Sequence, residues 1–314
     1  MQTIIFLILL PLVISIILAV IPAKPLWYRK TIGFVVNILL VSAVIYLYFI
    51  SPDEALFFAA EIPHVNLFML GIELVLGIII AVMAFRAARY YVIALVVIQS
   101  LIMITFEIVY GEAIAASVTH NLFIDKLSLI MALIVGIIGS LICNYAIGYM
   151  TEYHDHNPDV RNRRRLFFFM FYLFISAMFG IVFSNNLIWL HFFWEITTFC
   201  SFILIGYKGD SESIVSSFKA VWMNLLGGIA FSIAIVYSYS FSGLIEMDKI
   251  LSSGSGSVIL PAVLLCFAGL IKSWHRLRYR LCYIQVQWLR RGSTSSYVLL
   301  RFLKIPLRDL CLHL

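Results

Sequence analysis

One acidic residue, Glu195, stands near the middle of the long apolar segment at residues 186–207. If that segment crosses a membrane, an ionised side chain at its centre costs at least about 2.5–3.5 kcal/mol, and such residues typically mark a path for protons or ions. At that depth a carboxyl group must be protonated, paired with a cation or reached by water. Glu195 is therefore either a proton carrier or one half of a structural hydrogen bond between helices.

One basic residue, Lys272, ends a short apolar run at residues 258–271. As a helix this run would be only about 21 Å long, at 1.5 Å per residue, against roughly 30 Å for the hydrocarbon core. A short segment that contains Gly269 and ends in a cation is either half of a broken helix beside an ion path or an ordinary helix end in a basic loop. The residues alone leave both interpretations open.

A buried carboxylate and a buried lysine are suited to reversible proton transfer. Each stabilises the charged form of the other when the two are paired, and a lysine that loses its partner in an apolar site gives up its proton more readily. Such a pair can bind and release a proton reversibly, without making or breaking any other covalent bond. Two further residues are secondary candidates: Glu73 lies inside another apolar segment, and Lys219 begins one, where it can reach the lipid headgroups.

The whole chain has the composition of a membrane protein. Apolar residues make up 63% of its 314 residues and charged residues 12%, against about 25% charged residues in soluble domains. Because about 20 apolar residues span the hydrocarbon core and backbone groups there must bond to one another, we predict an all-α polytopic transmembrane bundle. About nine membrane segments are predicted, at residues 3–22, 31–50, 65–85, 90–109, 122–149, 166–183, 186–207, 218–240 and 257–272.

Basic residues alternate between the loops and predict the orientation. The odd-numbered loops carry Lys or Arg, whereas the second, fourth and sixth loops carry none and the eighth carries only Lys249. Since Lys and Arg collect on the cytoplasmic side, the odd-numbered loops are predicted to be inside and the N-terminus outside. The basic residues of the odd-numbered loops are Lys24, Arg29, Lys30, Arg86, Arg89, Arg161, Arg163, Arg164, Arg165 and Lys208.

No metal site is expected from the sequence. The five cysteines show no CxxC spacing and are interpreted as small apolar residues. The residues His154, Asp155, His156 and Asp159 share one loop, which is interpreted as a solvated loop rather than a metal site.

Five motifs, taken in order, resemble one family of membrane subunits. They are Asn121–Ser128, Tyr145–Met150, Ser184–Leu187, Phe193–Glu195 and Cys200–Gly206. Over roughly residues 120–274 the chain resembles the antiporter-like, proton-translocating subunits of respiratory complex I, energy-converting membrane-bound hydrogenases and multisubunit cation/proton antiporters. The stretch Trp222–Gly228 is most similar to the hydrogenase branch.

The resemblance implies roles for the two residues singled out first. Glu195 matches the family's essential glutamate, and Lys272, in the motif Ala268–Ser273, matches the lysine on its broken helix. In this family the subunit binds no redox cofactor and relays protons through inverted helix repeats, while partner subunits transfer electrons. The chain is therefore expected to be a non-catalytic translocase subunit in an inner or plasma membrane, held by lipid and by other membrane and peripheral subunits, with no cofactor, metal or nucleic acid.

Three regions are predicted along the chain. Residues 1–110 form four N-terminal helices, residues 111–274 the first part of the proton-translocating domain, and residues 275–314 a basic tail with eight Lys or Arg against one acid. The family continues with a further membrane repeat, which the tail does not resemble. The codons of Trp274 and His275, read one base earlier, encode the alanine that the family has there. The tail is therefore predicted to come from a different reading frame, which the coding DNA can test.

The expected function is proton translocation in a redox-driven complex of the hydrogenase type. One alternative is a subunit of a multisubunit sodium/proton antiporter, with the same helices and relay. The other is a truncated, non-functional fragment of such a subunit. Neighbouring genes discriminate between the first two, because a nickel-binding hydrogenase subunit supports one and a set of small antiporter subunits the other.

Overall fold

The computed structural model describes residues 1–20, 26–51, 54–59, 64–156, 162–252 and 259–272. These residues include eight helices that are long and apolar enough to span a membrane. They are α1 (Gln2–Val20), α2 (Leu26–Ile50), α3 (Val65–Arg86), α4 (Tyr90–Ser117), α5 (Lys126–His156), α6 (Arg164–Phe183), α7 (Leu187–Ile205) and α8 (Ser211–Ser242). Two shorter helices follow, α9 (Met247–Ser252) and α10 (Ile259–Lys272). The prediction of an all-α polytopic bundle is confirmed.

The fifth membrane segment begins later than its apolar run predicts. Leu122–Ile124 is a short strand, β2, which pairs antiparallel with β1 (Leu56–Phe58). Helix α5 starts only after Asp125, whose carboxylate accepts a hydrogen bond from Ser128 N at 2.7 Å, while Asp125 N donates to Ser128 Oγ at 2.8 Å. This reciprocal cap satisfies backbone donors at the helix start and separates the strand from the helix.

The chain divides into two compact units, Met1–Gly269 and Leu270–Leu314. Within the first unit α1 packs against α6, α2 against α5, and α3 and α4 against each other. Of the second unit, residues 270–272 are described. The predicted basic tail at residues 275–314 therefore lies outside the described residues.

Helix α7 is the centre of the bundle. It packs against α3, α6 and α8, and its buried share, 67%, is the largest of the eight spanning helices. Its start is fixed by Asn186, whose side chain accepts a hydrogen bond from Ile188 N at 2.9 Å. Most side chains of this helix therefore contact protein rather than lipid.

Helices α6 and α7 approach each other most closely at Gly180. A Cβ atom at this position would lie 2.5 Å from atoms of the Phe193 ring, so the ring lies directly on the α6 backbone. His191 and Glu195, two residues before and after Phe193, point about 160° away around the helix. The packing of Phe193 on Gly180 thus turns His191 and Glu195 away from α6.

Backbone and side-chain groups of three asparagine residues join the loops at one end of the bundle. Asn185 N donates to Asn121 O at 2.9 Å, and Asn186 Nδ2 donates to Asn121 Oδ1 at 2.9 Å. Asn121 N in turn donates to Phe58 O, and Met247 N donates to Asn185 O. The loops before α5, α7 and α9 and the strand β1 are therefore joined in one network.

A buried carboxylate, Glu246, completes this network. Its Oε1 accepts hydrogen bonds from Thr119 N and Thr119 Oγ1, both at 3.1 Å, and from His120 N, and Lys249 forms an ion pair with its other oxygen. The second, fourth, sixth and eighth loops thus meet at one end of the bundle, as the alternation of basic residues predicts. The side of the membrane on which this end lies stays a prediction.

At the other end, α8 begins after Asp210. Its carboxylate accepts a hydrogen bond from Ser213 N at 2.9 Å and forms an ion pair with Lys208. The hydrogen bond from Lys208, followed by those from Ser213, holds the pKa of Asp210 below its usual value. Because the pKa is lower in the folded chain, the charged cap is fully present above the usual pKa of about 3.9 and is lost only as the pH falls well below it.

We expect Gly180→Ala to lower the free energy of unfolding by about 1–3 kcal/mol, the usual effect of overpacking, because the new methyl group overlaps the Phe193 ring. Thermal unfolding of the purified chain in detergent measures the change. Gly148→Ala in α5 is the control, since a Cβ there meets nothing within 4 Å and Ala favours a helix over Gly by about 0.8–1.0 kcal/mol. Equal unfolding temperatures for the two variants would contradict the close approach of α6 and α7.

Candidate functional site

Glu195 faces the interior of the bundle. The residue is 9% exposed, on the face of α7 that turns away from α6. It lines an internal cavity together with Glu73 of α3, Gln99 and Ser100 of α4, and Leu225 of α8. The acid that the sequence singles out therefore points into a partly polar cavity and not toward the surrounding lipid.

Gly228 of α8 makes room for the polar groups at this cavity. A Cβ atom on Gly228 would lie 2.7 Å from Gln99 Oε1 and 2.8 Å from Glu195 Oε1. Both oxygens therefore stand almost against the α8 backbone, in a space that any larger residue would fill. The glycine lets a carboxyl group and an amide from different helices meet at one point.

The cavity is large enough for water. Its volume is about 30 Å³, and one water molecule needs about 10–15 Å³ of such space. Gln99 Oε1 is buried and has no hydrogen-bond partner within the described part of the chain, and Gln99 lines the cavity. A water there would satisfy this oxygen, since buried polar groups are rarely left unsatisfied.

A second titratable residue of α7, His191, lies one helical turn before Glu195 and is fully buried. Its Nδ1 is 3.1 Å from Glu73 Oε1. Its Nε2 is 3.1 Å from Ser232 Oγ and 3.4 Å from Gln99 Nε2. The imidazole is thus held between α3, α4 and α8, beside the cavity that Glu73 and Glu195 share.

The structure brings two of the predicted site residues together and leaves Lys219 apart from them. Glu73 and Glu195 line the same cavity. Lys219 is exposed. It lies nine residues before Gly228 along α8, about 14 Å away along the helix axis, and so stands apart from the polar cluster formed by Glu73, Gln99, His191, Glu195 and Ser232. Lys272 ends α10, the short apolar helix that the sequence predicts, in the second unit.

Sequence reasoning missed three polar residues of the cluster: His191, Gln99 and Ser232. One signal was available, because His191 precedes Glu195 by four residues and side chains at that spacing share a helix face. Gln99 and Ser232 carry no charge and sit in apolar segments of other helices. Within the described ranges, no group of three or more His, Cys, Asp or Glu side chains is arranged to hold a metal ion.

Two regions of the chain match described protein families. Residues 113–161 match the family "NADH-Ubiquinone oxidoreductase (complex I), chain 5 N-terminus". Residues 184–275 match the family "NADH:quinone oxidoreductase/Mrp antiporter, TM". The second region contains His191, Glu195, Gly228, Ser232 and Lys272.

Curated relatives align with about half of the chain. The putative antiporter subunit mnhA2 of Staphylococcus haemolyticus is 29% identical over 171 residues, which is 53% of this chain and 20% of the relative. A Na(+)/H(+) antiporter subunit of Alkalihalophilus pseudofirmus is 33% identical over 159 residues, which is 48% of this chain and 19% of the relative. The alignments therefore span about a fifth of the length of these relatives.

Among solved structures, the chain is similar to one from the membrane-bound sulfane sulfur reductase, an archaeal respiratory membrane complex, with a TM-score of 0.39 and 16% identity over 77% of this chain and 44% of that chain. The sequence motifs, the eight spanning helices and the two matched regions agree with one another. This chain is a multi-pass membrane protein in which two regions match families of antiporter-like subunits, those of NADH:quinone oxidoreductases and Mrp antiporters.

Proposed function

We propose that this chain translocates protons as one subunit of a multisubunit membrane complex, with Glu195 as a proton-carrying side chain. One observation supports this above all: the carboxyl group of Glu195 lies inside the bundle, at a partly polar cavity with room for water. A carboxyl group in that setting can bind a proton, and water in the cavity can deliver or remove it. A purely structural glutamate would need no such cavity.

The proton carrier proposed as the partner of Glu195 is Lys272. Support for Lys272 comes from its motif, Ala268–Ser273, and from its position at the end of a short apolar helix. A cation at such a helix end has backbone groups and water within reach. Proton transfer would then depend on how the complex changes the proton affinity of each of the two side chains.

Two kinds of complex fit this subunit. The similarity of Trp222–Gly228 to the hydrogenase branch supports a redox-driven complex in which partner subunits carry out the electron transfer. The name of the Alkalihalophilus relative, which describes a Na(+)/H(+) antiporter, supports a cation/proton antiporter, in which sodium ions are the second substrate. Proton uptake that starts on addition of an electron donor favours the first, and proton movement driven by a sodium gradient alone favours the second.

We expect Glu195→Gln to reduce proton translocation by the complete complex, in inverted membrane vesicles, to the level of vesicles without the complex. Glutamine keeps the size and hydrogen-bonding capacity of the side chain but cannot ionise. A pH-sensitive dye reports the uptake. Glu107→Gln in α4 is the control, because Glu107 is likewise an acid within a span, where it is half-buried, but it does not line the cavity. Unchanged translocation in Glu195→Gln would contradict the proposed role.

We expect Lys272→Ala to cause a similar loss of translocation in the same vesicles, because the substitution removes the second proton carrier. Lys30→Ala is its control, since Lys30 is an exposed lysine near the start of α2. Assembly of the complex is checked by immunodetection of a partner subunit. If Lys272→Ala assembles and translocates as well as Lys30→Ala, Lys272 is not a carrier.

We expect Gly228→Ala to lower translocation because its methyl group displaces Gln99 and Glu195 from their positions against α8. Gly227→Ala is a matched control one residue away, where a Cβ has its nearest neighbour, Ala268 O, at 3.4 Å. Both substitutions favour a helix equally, so a difference in translocation reports on the contact at Gly228. Equal rates for the two variants would show that the position of Glu195 tolerates displacement.

A further inference from the structure

We propose that Glu73 and His191 together hold one exchangeable proton and pass it to and from Glu195 through the internal cavity. This inference deepens the proposed function and takes its biological role from it. The protonation chemistry of the pair itself stands on the geometry of α3, α7 and α8. The test below therefore measures that chemistry without any transport assay.

The hydroxyl group of Ser232 determines which nitrogen of His191 carries a proton. Ser232 Oγ donates to Gly228 O at 3.0 Å, so its hydrogen is already used. The oxygen is then left as an acceptor for His191 Nε2 at 3.1 Å. A hydrogen bond between them requires Nε2 to be protonated.

The other ring nitrogen then faces a carboxyl group. In a neutral imidazole with Nε2 protonated, Nδ1 has a lone pair and no hydrogen. Glu73 Oε1 lies 3.1 Å from this nitrogen, and two acceptors at that distance need a proton between them. The pair therefore holds an additional proton, either on the carboxyl group or on an imidazolium that is paired with a carboxylate.

The surroundings of His191 suit either position of this proton. Glu73 comes from α3, the uncharged Gln99 from α4 and the uncharged Ser232 from α8, and Glu195 is the other titratable group on the same face of α7. With Nε2 protonated, the amide of Gln99 turns its oxygen toward Nε2, because the two ends of the amide differ only by a rotation of the group. Its nitrogen then takes the place of the oxygen and donates to a water in the cavity. The positive charge of an imidazolium would thus be balanced by Glu73.

A route to Glu195 is available through the cavity that both carboxyl groups line. The cavity volume of about 30 Å³ leaves room for about two water molecules. In the transfer, the Glu195 carboxyl group gives its proton to a cavity water, and that water gives a proton to Glu73, which shares it with His191 Nδ1. Glu195 becomes a carboxylate, the pair gains one proton, and the total charge of the three groups stays constant.

Nuclear magnetic resonance of isotope-labelled histidine nitrogens in the chain, reconstituted in lipid nanodiscs, tests this proposal. The signals of His191 are those that disappear in His191→Gln. We expect Nε2 of His191 to be protonated throughout, and Nδ1 to change with pH from a nitrogen without a proton to one that shares a proton with Glu73. Glu195→Gln is expected to shift the midpoint of that change by about one pH unit, the usual size of an effect from a nearby charge, whereas Glu107→Gln leaves it unchanged.

A second variant tests the role of the hydroxyl group. In Ser232→Ala, Nε2 loses its hydroxyl acceptor and keeps only the backbone oxygen of Gly228, so the share of a neutral form protonated on Nδ1 is expected to increase. The signals of the other histidines show whether each variant has kept its fold. A neutral His191 protonated on Nδ1 in the unmodified chain, or the same response to Glu195→Gln and Glu107→Gln, overturns the proposal. The transport assay with Glu195→Gln tests the proposed function, and the resonance measurement tests the Glu73–His191 pair. Failure of one proposal can therefore be distinguished from failure of the other.

Discussion

The unfavourable free energy of a charge inside hydrocarbon governs the arrangement around α7. A carboxyl group at mid-depth is tolerated only where other groups or water compensate its charge or hold its proton. Here Glu195 stands on the most buried spanning helix, and the polar side chains around Glu195 and His191 come from α3, α4 and α8. The bundle therefore supplies, from several helices, what a single helix in lipid could not. The packing of these helices is what allows the acid to lie inside the bundle.

Precise placement of α7 follows from contacts on both sides of the cluster. Asn186 caps the first turn of α7 and joins it to the network of loops. These bonds fix the position of the helix along its own axis. Phe193 on Gly180 fixes its rotation. On the side of α7 that faces α8, Gly228 lets Gln99 Oε1 and Glu195 Oε1 come close to the α8 backbone. Small residues at two helix contacts thus determine where a charged residue lies, as is usual in membrane bundles, where close packing replaces the hydrophobic effect.

The features that could be predicted from sequence are those that depend on local signals. Apolar runs gave the helices, and a charge inside such a run identified Glu195 and Glu73. His191, Gln99 and Ser232 could not be found in the same way, because a neutral polar residue disturbs an apolar run only slightly and its partners come from helices far away in the sequence. The strand at Leu122–Ile124 was missed because three apolar residues before a helix look like part of it. Lys219 remained a candidate because its helix face could not be read from spacing alone.

The loop network at one end of the bundle also restricts how the helices can move. The starts of α5, α7 and α9 are joined there by hydrogen bonds through Asn121, Asn185 and Glu246. Helices that are joined at one end separate by tilting about that end, so the displacement of each helix grows with distance from the joined end. Any opening of a passage along α7 is therefore widest at the opposite membrane face, where the loop between α7 and α8 carries Lys208 and Asp210.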